Sequence, residues 1–360
     1  MKVALVYDRV NKWGGAERVL LALHKIFPDA PLYTSLYDKK KVKWAKPFDV
    51  RVSFLQSASS LRQYNDLLVL FMPIAFESFS FDEFDLVISV TSEAAKGIIT
   101  KPGTIHICYC LTPTRYLWSG YDDYFSNNTF RTLSNPSVSY LRKWDQVASS
   151  RPDYYIAIST EVKKRIKEYY KRESEIIFPP LTLERYKKIS KKTKQDYFLL
   201  VSRFSRFTYY KKVDLAIEAF NITGLPLKII GTGPMIKAYK SKAKNNIEFL
   251  GELTDRRLTD YYENCKALVF PGLEDFGLVM AEAQSLGKPV IAYKAGGAKD
   301  IIKPGVTGEF FSEQTPESLI KTLKRFNEKS YNKAEIIRNS KKFSYKIFKN
   351  ELEAFIKEKI

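Results

Sequence analysis

Short β-branched runs alternate with helical patterns along the whole chain, and this alternation restricts the fold more than any other feature of the sequence. It is typical of βαβ units, whose strands form parallel sheets. In the first half, the predicted strands lie at 2–7, 85–90, 104–110, 153–159 and 175–178. In the second half, they lie at 197–202, 227–231, 247–251, 267–271 and 289–293. Each half can form its own sheet, so the predicted fold class is α/β with two doubly wound domains.

The boundary between the two domains is predicted in a lysine-rich stretch of low apolar content that follows a pair of prolines. A chain of 360 residues exceeds what one hydrophobic core usually organises. A helix is predicted to begin at Pro316, with Thr315 as its cap. We predict an N-terminal domain over 1–180, a linker over 181–195, a C-terminal domain over 196–340, and a helix over 341–360 that packs back on the N-terminal domain.

The composition is that of a soluble globular protein, with 45% apolar and 28% charged residues. A formal charge of +19 indicates a polyanionic partner, which could be phosphates, anionic lipid or nucleic acid. Cys108, Cys110 and Cys265 show neither a disulfide framework nor a zinc spacing, which favours a reducing compartment. The N-terminal apolar run is too short for a signal peptide, and the run at 67–76 is about half a bilayer span. We therefore expect a cytoplasmic protein.

Two glycine-rich turns are predicted to follow strands, where doubly wound folds bind their ligands. Gly14 and Gly15 precede the first helix, and Gly231 and Gly233 follow the strand at 227–231. Glycines at a helix start let backbone N–H groups approach an anion. The alternative is a turn that only joins a strand to a helix. The absence of a GxGxxG spacing counts against a nicotinamide or flavin site.

A group of cations follows the strand at 197–202, namely Arg203, Arg206, Lys211 and Lys212. Fixed cations at a strand end suit the two phosphates of a leaving nucleotide, because they stabilise the negative charge that grows as a glycosyl bond breaks. The alternative is a solvated basic loop.

Two glutamates, Glu274 and Glu282, are separated by seven residues in an otherwise almost uncharged run. Glu274 is predicted on a loop and Glu282 within a helix that begins after Gly277. The backbone N–H groups of Phe276, Gly277 and Leu278 then form an anion site at the helix start. The helix is apolar all round and is therefore expected to be buried, so the Glu282 carboxylate needs a specific partner. The alternative is that Glu282 forms a surface salt bridge. This order suits a nucleotide sugar, with the sugar at Glu274, the phosphate at the helix start and the ribose at Glu282.

Taken together, these motifs resemble family 4 of the retaining glycosyltransferases over nearly the whole chain. The resemblance rests on WGGAERVLLAL, KKVDLAIEAF, GTGP, EDFGLVMAEA and PVIAYKAGGAKDIIKPGVTGEFF. It implies the GT-B fold, in which two Rossmann-like domains have parallel sheets that face a central cleft. The segments FPDAPLYTSLYD, AKGI and CYCLTPTRYLW are similar to the mannosyltransferase-like subgroup of surface polysaccharide and glycolipid assembly.

The resemblance also implies roles for individual residues. The residues implied in catalysis are Glu274, Arg203 and Lys211. Those implied in nucleotide-sugar binding are Gly14, Gly15, Arg203, Arg206, Lys211, Gly231, Gly233, Glu274, Phe276, Gly277, Leu278, Val279 and Glu282. Arg203 and Arg206 are alternatives for the diphosphate, with Arg203 slightly favoured. Leu111 and Arg115 are implied at the acceptor.

The implied reaction transfers a hexose, with retention of configuration, from a nucleotide-diphosphate sugar to a glycan or lipid-linked saccharide. GDP-mannose is the first choice of donor, and neither a metal nor a cofactor is implied. Leu111 stands where the family often has histidine, so a catalytically weak or inactive subunit that acts as a scaffold is the alternative. His24 and His106 are expected to be structural.

The excess of basic residues has two further interpretations. One is attraction of the basic segments 162–172 and 341–360 to an anionic membrane surface, where lipid-linked acceptors lie. The other is nucleic-acid binding, which the even spread of Lys and Arg and the absence of any binding signature disfavour. The expected partners are therefore a nucleotide sugar, a saccharide acceptor and an anionic membrane surface, not nucleic acid.

Overall fold

The computed structural model describes residues 1–57, 68–181, 196–204 and 211–360. These residues form two compact units. The first unit comprises Met1–Pro180 and Phe348–Ile360, and the second comprises Leu181–Ile347. Arg206 and residues 182–195 of the predicted linker lie outside the described residues.

The first unit contains a seven-stranded parallel sheet with the order β3-β2-β1-β4-β5-β6-β7. The strands are β1 Val3–Tyr7, β2 Leu32–Thr34, β3 Val50–Val52, β4 Leu86–Thr91, β5 Ile105–Cys110, β6 Tyr154–Ala157 and β7 Glu175–Ile176. The α-helices before the boundary are α1 Gly15–Ile26, α2 Met72–Glu77, α3 Tyr121–Tyr124, α4 Asn128–Ala148 and α5 Thr160–Arg165. The order of the strands reverses between β1 and β4, so the crevice for a ligand is expected where these two strands end.

The second unit contains a six-stranded parallel sheet with the order β10-β9-β8-β11-β12-β13. Its strands are β8 Phe198–Val201, β9 Leu227–Ile230, β10 Ile247–Gly251, β11 Leu268–Phe270, β12 Val290–Tyr293 and β13 Gly308–Phe311. Its α-helices are α6 Val213–Thr223, α7 Ile236–Lys240, α8 Asp255–Asn264, α9 Leu278–Ser285, α10 Ala298–Ile301, α11 Pro316–Arg325 and α12 Lys333–Ser340. Here the order reverses between β8 and β11.

The last helix, α13 Tyr345–Lys359, carries aromatic residues that pack on strands of the first unit. Phe348 packs edge-on against Tyr109 of β5, with ring centroids 6.0 Å apart. Phe355 packs in the same way against Tyr154 of β6, at 6.1 Å. These contacts explain why the unit includes residues from both ends of the chain. No α-helix in the described ranges is long and apolar enough to span a bilayer.

All ten predicted strands are present, with ends that differ by at most two residues. The sequence prediction missed β2, β3 and β13. The cap prediction is confirmed, since the Thr315 hydroxyl accepts a hydrogen bond from the Ser318 N–H and Pro316 is the first residue of α11.

Candidate active site

In the second unit, the segment after β8 is packed against the glycine turn after β9. The N–H of Phe204 donates to the Thr232 carbonyl at 2.9 Å. A Cβ at Gly231 would lie 1.7 Å from the Ser202 carbonyl oxygen, and one at Gly233 would lie 2.4 Å from the Phe204 carbonyl oxygen. Both glycines also have positive φ angles of 142° and 149°. Close backbone packing therefore requires glycine at both positions, whether or not a phosphate also approaches them.

An ion pair joins two of the predicted site residues at the reversal point of this sheet. Lys211 Nζ lies 2.7 Å from Glu274 Oε1, and the two side chains are 13% and 19% exposed. Lys211 precedes α6, and Glu274 lies on the loop that follows β11. A ligand at this edge of the sheet would therefore meet a cation and a carboxylate that are already in position. Arg203, two residues after β8, is exposed.

The loop that carries Glu274 is supported from behind by two glycines. The Gly297 N–H donates to the Glu274 carbonyl at 2.9 Å. A Cβ at Gly297 would lie 2.3 Å from Phe276 Cα, and one at Gly296 would lie 2.2 Å from the Glu274 carbonyl oxygen. Any side chain at these glycines would displace the loop, so they set the position of Glu274.

The helix start is where the sequence predicted it, with α9 beginning at Leu278. Gly277 caps the helix with φ 90°, a left-handed conformation that favours glycine. The N-cap residue is a glycine and has no side chain to cap this end, so the first N–H groups of the helix, at Leu278 and Val279, suit an anion site. Phe276 lies outside the helix, and its buried ring packs edge-on against Phe343.

Glu282 lies within α9 and is 2% exposed. Its Oε2 atom accepts a hydrogen bond from the Tyr262 hydroxyl at 3.0 Å. Tyr262 is on α8 and is fully buried. The sequence indicated that Glu282 needs a partner but did not identify Tyr262, because the two residues are twenty positions apart on different helices.

In the first unit, Asp8 joins the ends of the two strands at the reversal point. Its buried carboxylate accepts a hydrogen bond from the Thr91 hydroxyl at 2.7 Å. It also accepts hydrogen bonds from three backbone N–H groups, those of Ser92, Glu93 and Ala95. Burial and the charge of Glu93 raise the pKa of Asp8, while these hydrogen bonds act in the opposite direction. Asp8 therefore fixes the loops after β1 and β4 to each other.

Beside Asp8, Arg9 and Glu93 form an ion pair across the same two strand ends. Both side chains are about one-fifth exposed, at 18% and 20%. Burial alone would lower the pKa of Arg9, but the charge and hydrogen bond of Glu93 raise it overall. The pair was missed by the sequence analysis, although both residues follow predicted strands within three residues.

The predicted glycine turn of the first unit precedes α1, as expected. Gly14 caps the helix in an extended conformation, and Gly15 is its first residue. The first turn contains a buried carboxylate, Glu17, which accepts a hydrogen bond from the Tyr7 hydroxyl at 2.6 Å. An anion that approaches Gly15 would therefore share this helix end with a negative charge.

The predicted acceptor residues Leu111 and Arg115 lie on the loop after β5. The Leu111 N–H donates to the Thr91 carbonyl at 2.8 Å, which extends the pairing of β4 and β5 by one residue. The loop is held by Asp145 of α4, which accepts hydrogen bonds from the Thr114 hydroxyl at 3.1 Å and the Trp118 indole N–H at 2.7 Å.

Asp145 also forms a fully buried ion pair with Lys96. The Lys96 ammonium donates a second hydrogen bond to the Glu93 carbonyl. Burial would lower the pKa of Lys96, but the charge and hydrogen bond of Asp145 raise it overall. The pair thereby links the end of β4 to the loop after β5.

The two histidines are structural, as expected. The His106 ring is buried within β5, where Nε2 lies 2.8 Å from the Ser89 hydroxyl. Burial and, to a lesser degree, the charge of Arg151 lower the pKa of His106 to about 3. The His24 ring packs against Phe48, with ring centroids 4.5 Å apart. All three cysteines are buried and free.

Two curated relatives illustrate what the sequence is similar to. An uncharacterized glycosyltransferase of Methanocaldococcus jannaschii is 28% identical over 211 residues, which cover 57% of this chain and 58% of the relative. The O-antigen chain mannosyltransferase C of Escherichia coli is 26% identical over 212 residues, which cover 54% of each chain. The chain thus spans little more than half the length of the curated relatives it matches.

The fold also matches solved structures over nearly its whole length. HepE of Anabaena, solved in complex with UDP and glucose, has a TM-score of 0.71 at 18% identity and covers 99% of this chain and 100% of its own. This match confirms the predicted GT-B fold class. Residues 183–343 match the family model described as Glycosyl transferases group 1. This match covers 161 of the 360 residues and lies within the second unit.

Proposed function

We propose that this protein is a retaining glycosyltransferase. It transfers a hexose, with mannose favoured, from a nucleotide-diphosphate sugar to a glycan or lipid-linked saccharide acceptor, and it needs no metal. The match of residues 183–343 to the model of glycosyl transferases group 1 supports the reaction class. The donor class is supported by the UDP and glucose bound to HepE, and mannose by the name of the E. coli relative.

The observation that carries this proposal is the Lys211–Glu274 ion pair beside the start of α9. In the proposed complex, the two phosphates of the donor lie between Lys211, Arg203 and the first N–H groups of α9. These groups stabilise the negative charge that develops on the departing diphosphate. Glu274 accepts hydrogen bonds from sugar hydroxyls, and its pairing with Lys211 holds it in position before the donor binds.

The chemistry then requires no protein nucleophile. The bond between the sugar and the diphosphate breaks as the acceptor hydroxyl forms its bond on the same face of the sugar. The leaving phosphate oxygen takes the proton of that hydroxyl, so the products are the glycosylated acceptor and a nucleoside diphosphate. Retention of the anomeric configuration follows from attack on the face that the leaving group occupies.

The proposal is tested by release of nucleoside diphosphate from GDP-mannose, UDP-glucose and UDP-galactose in the presence of lipid-linked saccharides extracted from bacterial membranes. We expect release from one donor and a loss of roughly 100-fold in kcat for Lys211→Met, as for other groups that stabilise a charged transition state. Lys321→Met, at an exposed position on α11, is the matched control and should keep wild-type activity.

No release from any donor would contradict the proposal and favour the scaffold alternative, which the leucine at position 111 motivates. Equal losses in Lys211→Met and Lys321→Met would show that the ion pair has no special part in the reaction.

Attraction to an anionic membrane is a separate element of the proposal. The net charge of +19 supports it, since lipid-linked acceptors lie at such surfaces. The protein should sediment with vesicles that contain anionic lipid, and binding should weaken as salt rises. Equal sedimentation with neutral vesicles would contradict this element alone.

A further inference from the structure

Tyr262 and Glu282 meet between α8 and α9, and the contact between them is more specific than packing requires. The Tyr262 hydroxyl donates to Glu282 Oε2 at 3.0 Å, and the two residues are 0% and 2% exposed. Tyr262 belongs to α8, whereas Glu282 belongs to α9, at whose start the donor is proposed to bind. An effect of Tyr262 on the donor is therefore expected to act through Glu282.

We propose that Tyr262 is a positioning residue that orients the Glu282 carboxylate to bind the ribose hydroxyls of a nucleoside diphosphate. The inference rests on the proposed function, which places the donor nucleotide at the start of α9. It goes further because it assigns discrimination between ribose and deoxyribose to a tyrosine outside the helix at which the nucleotide is proposed to bind.

The orientation of the Glu282 carboxylate depends on its hydrogen-bond partners. The torsion that rotates a glutamate carboxylate is broad, so the plane of the carboxylate is set by its hydrogen-bond partners. A hydrogen bond from a hydroxyl to an ionised carboxylate is stronger than one between neutral groups. A buried carboxylate that loses such a donor is also left incompletely satisfied. Tyr262 thus fixes the direction in which Glu282 accepts further hydrogen bonds.

The position of Glu282 along α9 also favours a contact with the ribose. Glu282 lies four residues after Leu278, the first residue of α9, so the two share a face of the helix. Four residues correspond to roughly 6 Å along the axis, and helical side chains lean towards the N-terminus. A diphosphate at the helix start would therefore bring its ribose towards Glu282.

The test compares the affinities of two series of ligands by isothermal titration of the whole chain. GDP, UDP and ADP are each compared with their 2′,3′-dideoxy counterparts, which lack the ribose hydroxyls. In the wild type we expect the ribonucleotide to bind at least about tenfold more tightly than its dideoxy counterpart, the scale of one hydrogen bond to a charged group. In Tyr262→Phe this ratio should fall to about one, with most of the loss in the affinity of the ribonucleotide.

Two further variants make the test specific. Tyr261→Phe removes the neighbouring hydroxyl from the same helix and should keep the wild-type ratio. Glu282→Gln should lose discrimination, and the double variant with Tyr262→Phe should lose no more, because the two residues act through one contact. Thermal melting of each variant shows whether it is folded.

The outcomes separate the inference from the function on which it rests. The inference is overturned if folded Tyr262→Phe or folded Glu282→Gln keeps the wild-type ratio of ribonucleotide to dideoxynucleotide affinity. The proposed binding of a nucleotide would not be affected by that result. Binding by the wild type without any discrimination would also overturn the inference. If the wild type binds no ribonucleoside diphosphate, the proposed function fails and the inference falls with it.

Discussion

Replacing Lys96 with methionine breaks the fully buried ion pair with Asp145. The variant keeps much of the volume of the side chain but removes its charge, so Asp145 is left buried without its counter-ion. Breaking a buried pair from one side typically costs about 3–5 kcal/mol. Asp145 keeps its hydrogen bonds from Thr114 and Trp118. We therefore expect the free energy of unfolding to fall by about 3 kcal/mol, near the lower end of that range.

The assay is differential scanning calorimetry of the whole chain, supported by urea unfolding. For a unit of this size, a loss of 1 kcal/mol of unfolding free energy lowers Tm by roughly 2–4 °C. Lys96→Met should therefore lower the Tm of one calorimetric transition by roughly 6–12 °C. The double variant Lys96→Met/Asp145→Asn removes both charges while an acceptor for Thr114 and Trp118 remains. It should therefore recover most of the loss.

The pH dependence follows from the raised pKa of Lys96. A lysine whose folded pKa exceeds its unfolded value of 10.5 contributes its full stability below pH 10.5 and loses it as the pH rises through the folded pKa. The stability difference between wild type and Lys96→Met should therefore be constant near neutral pH and shrink above about pH 10.5. A loss below about 1 kcal/mol, or a double variant as unstable as the sum of the single variants, would refute the reasoning.

Three further predictions concern the candidate active site. Glu274→Ala should reduce transfer strongly while nucleoside diphosphate affinity changes little, which activity assays and titration together can measure; a parallel loss of both would contradict the assigned role. Gly297→Ala should lose about 1–3 kcal/mol in urea unfolding and also lower activity, because its Cβ would overlap Phe276 and move the loop that carries Glu274; wild-type stability would show that the loop adapts freely. The product formed from an α-linked donor should show an α-anomeric proton by NMR, and a β-linked product would refute retention.

The sequence was sufficient to predict the longer strands, since runs such as 104–110 have a strong pattern of β-branched and aromatic residues. It also predicted the start of α9, because glycine at 277 precedes an uncharged helical run. The short strands β2, β3 and β13 were missed because their pairing is determined by neighbouring strands and not by their own residues.

The contacts within the candidate site were less accessible to sequence reasoning. The Glu274 and Lys211 side chains were each identified, but their ion pair depends on the order of β8 and β11 in the sheet. Tyr262 was missed because nothing in its own helix marks it as the partner of Glu282. Sequence patterns identify chemical groups after strands, whereas the topology of the sheet decides which of them meet.

The central claim is that the second unit binds the nucleoside diphosphate of a sugar donor at the start of α9. Isothermal titration of the whole chain with GDP, UDP and ADP tests it most directly. We predict that one of the three binds with one-to-one stoichiometry and that Glu282→Ala weakens this binding at least tenfold, as expected for loss of hydrogen bonds to a charged group. Absence of binding by all three, or equal affinity in wild type and folded Glu282→Ala, would contradict the claim.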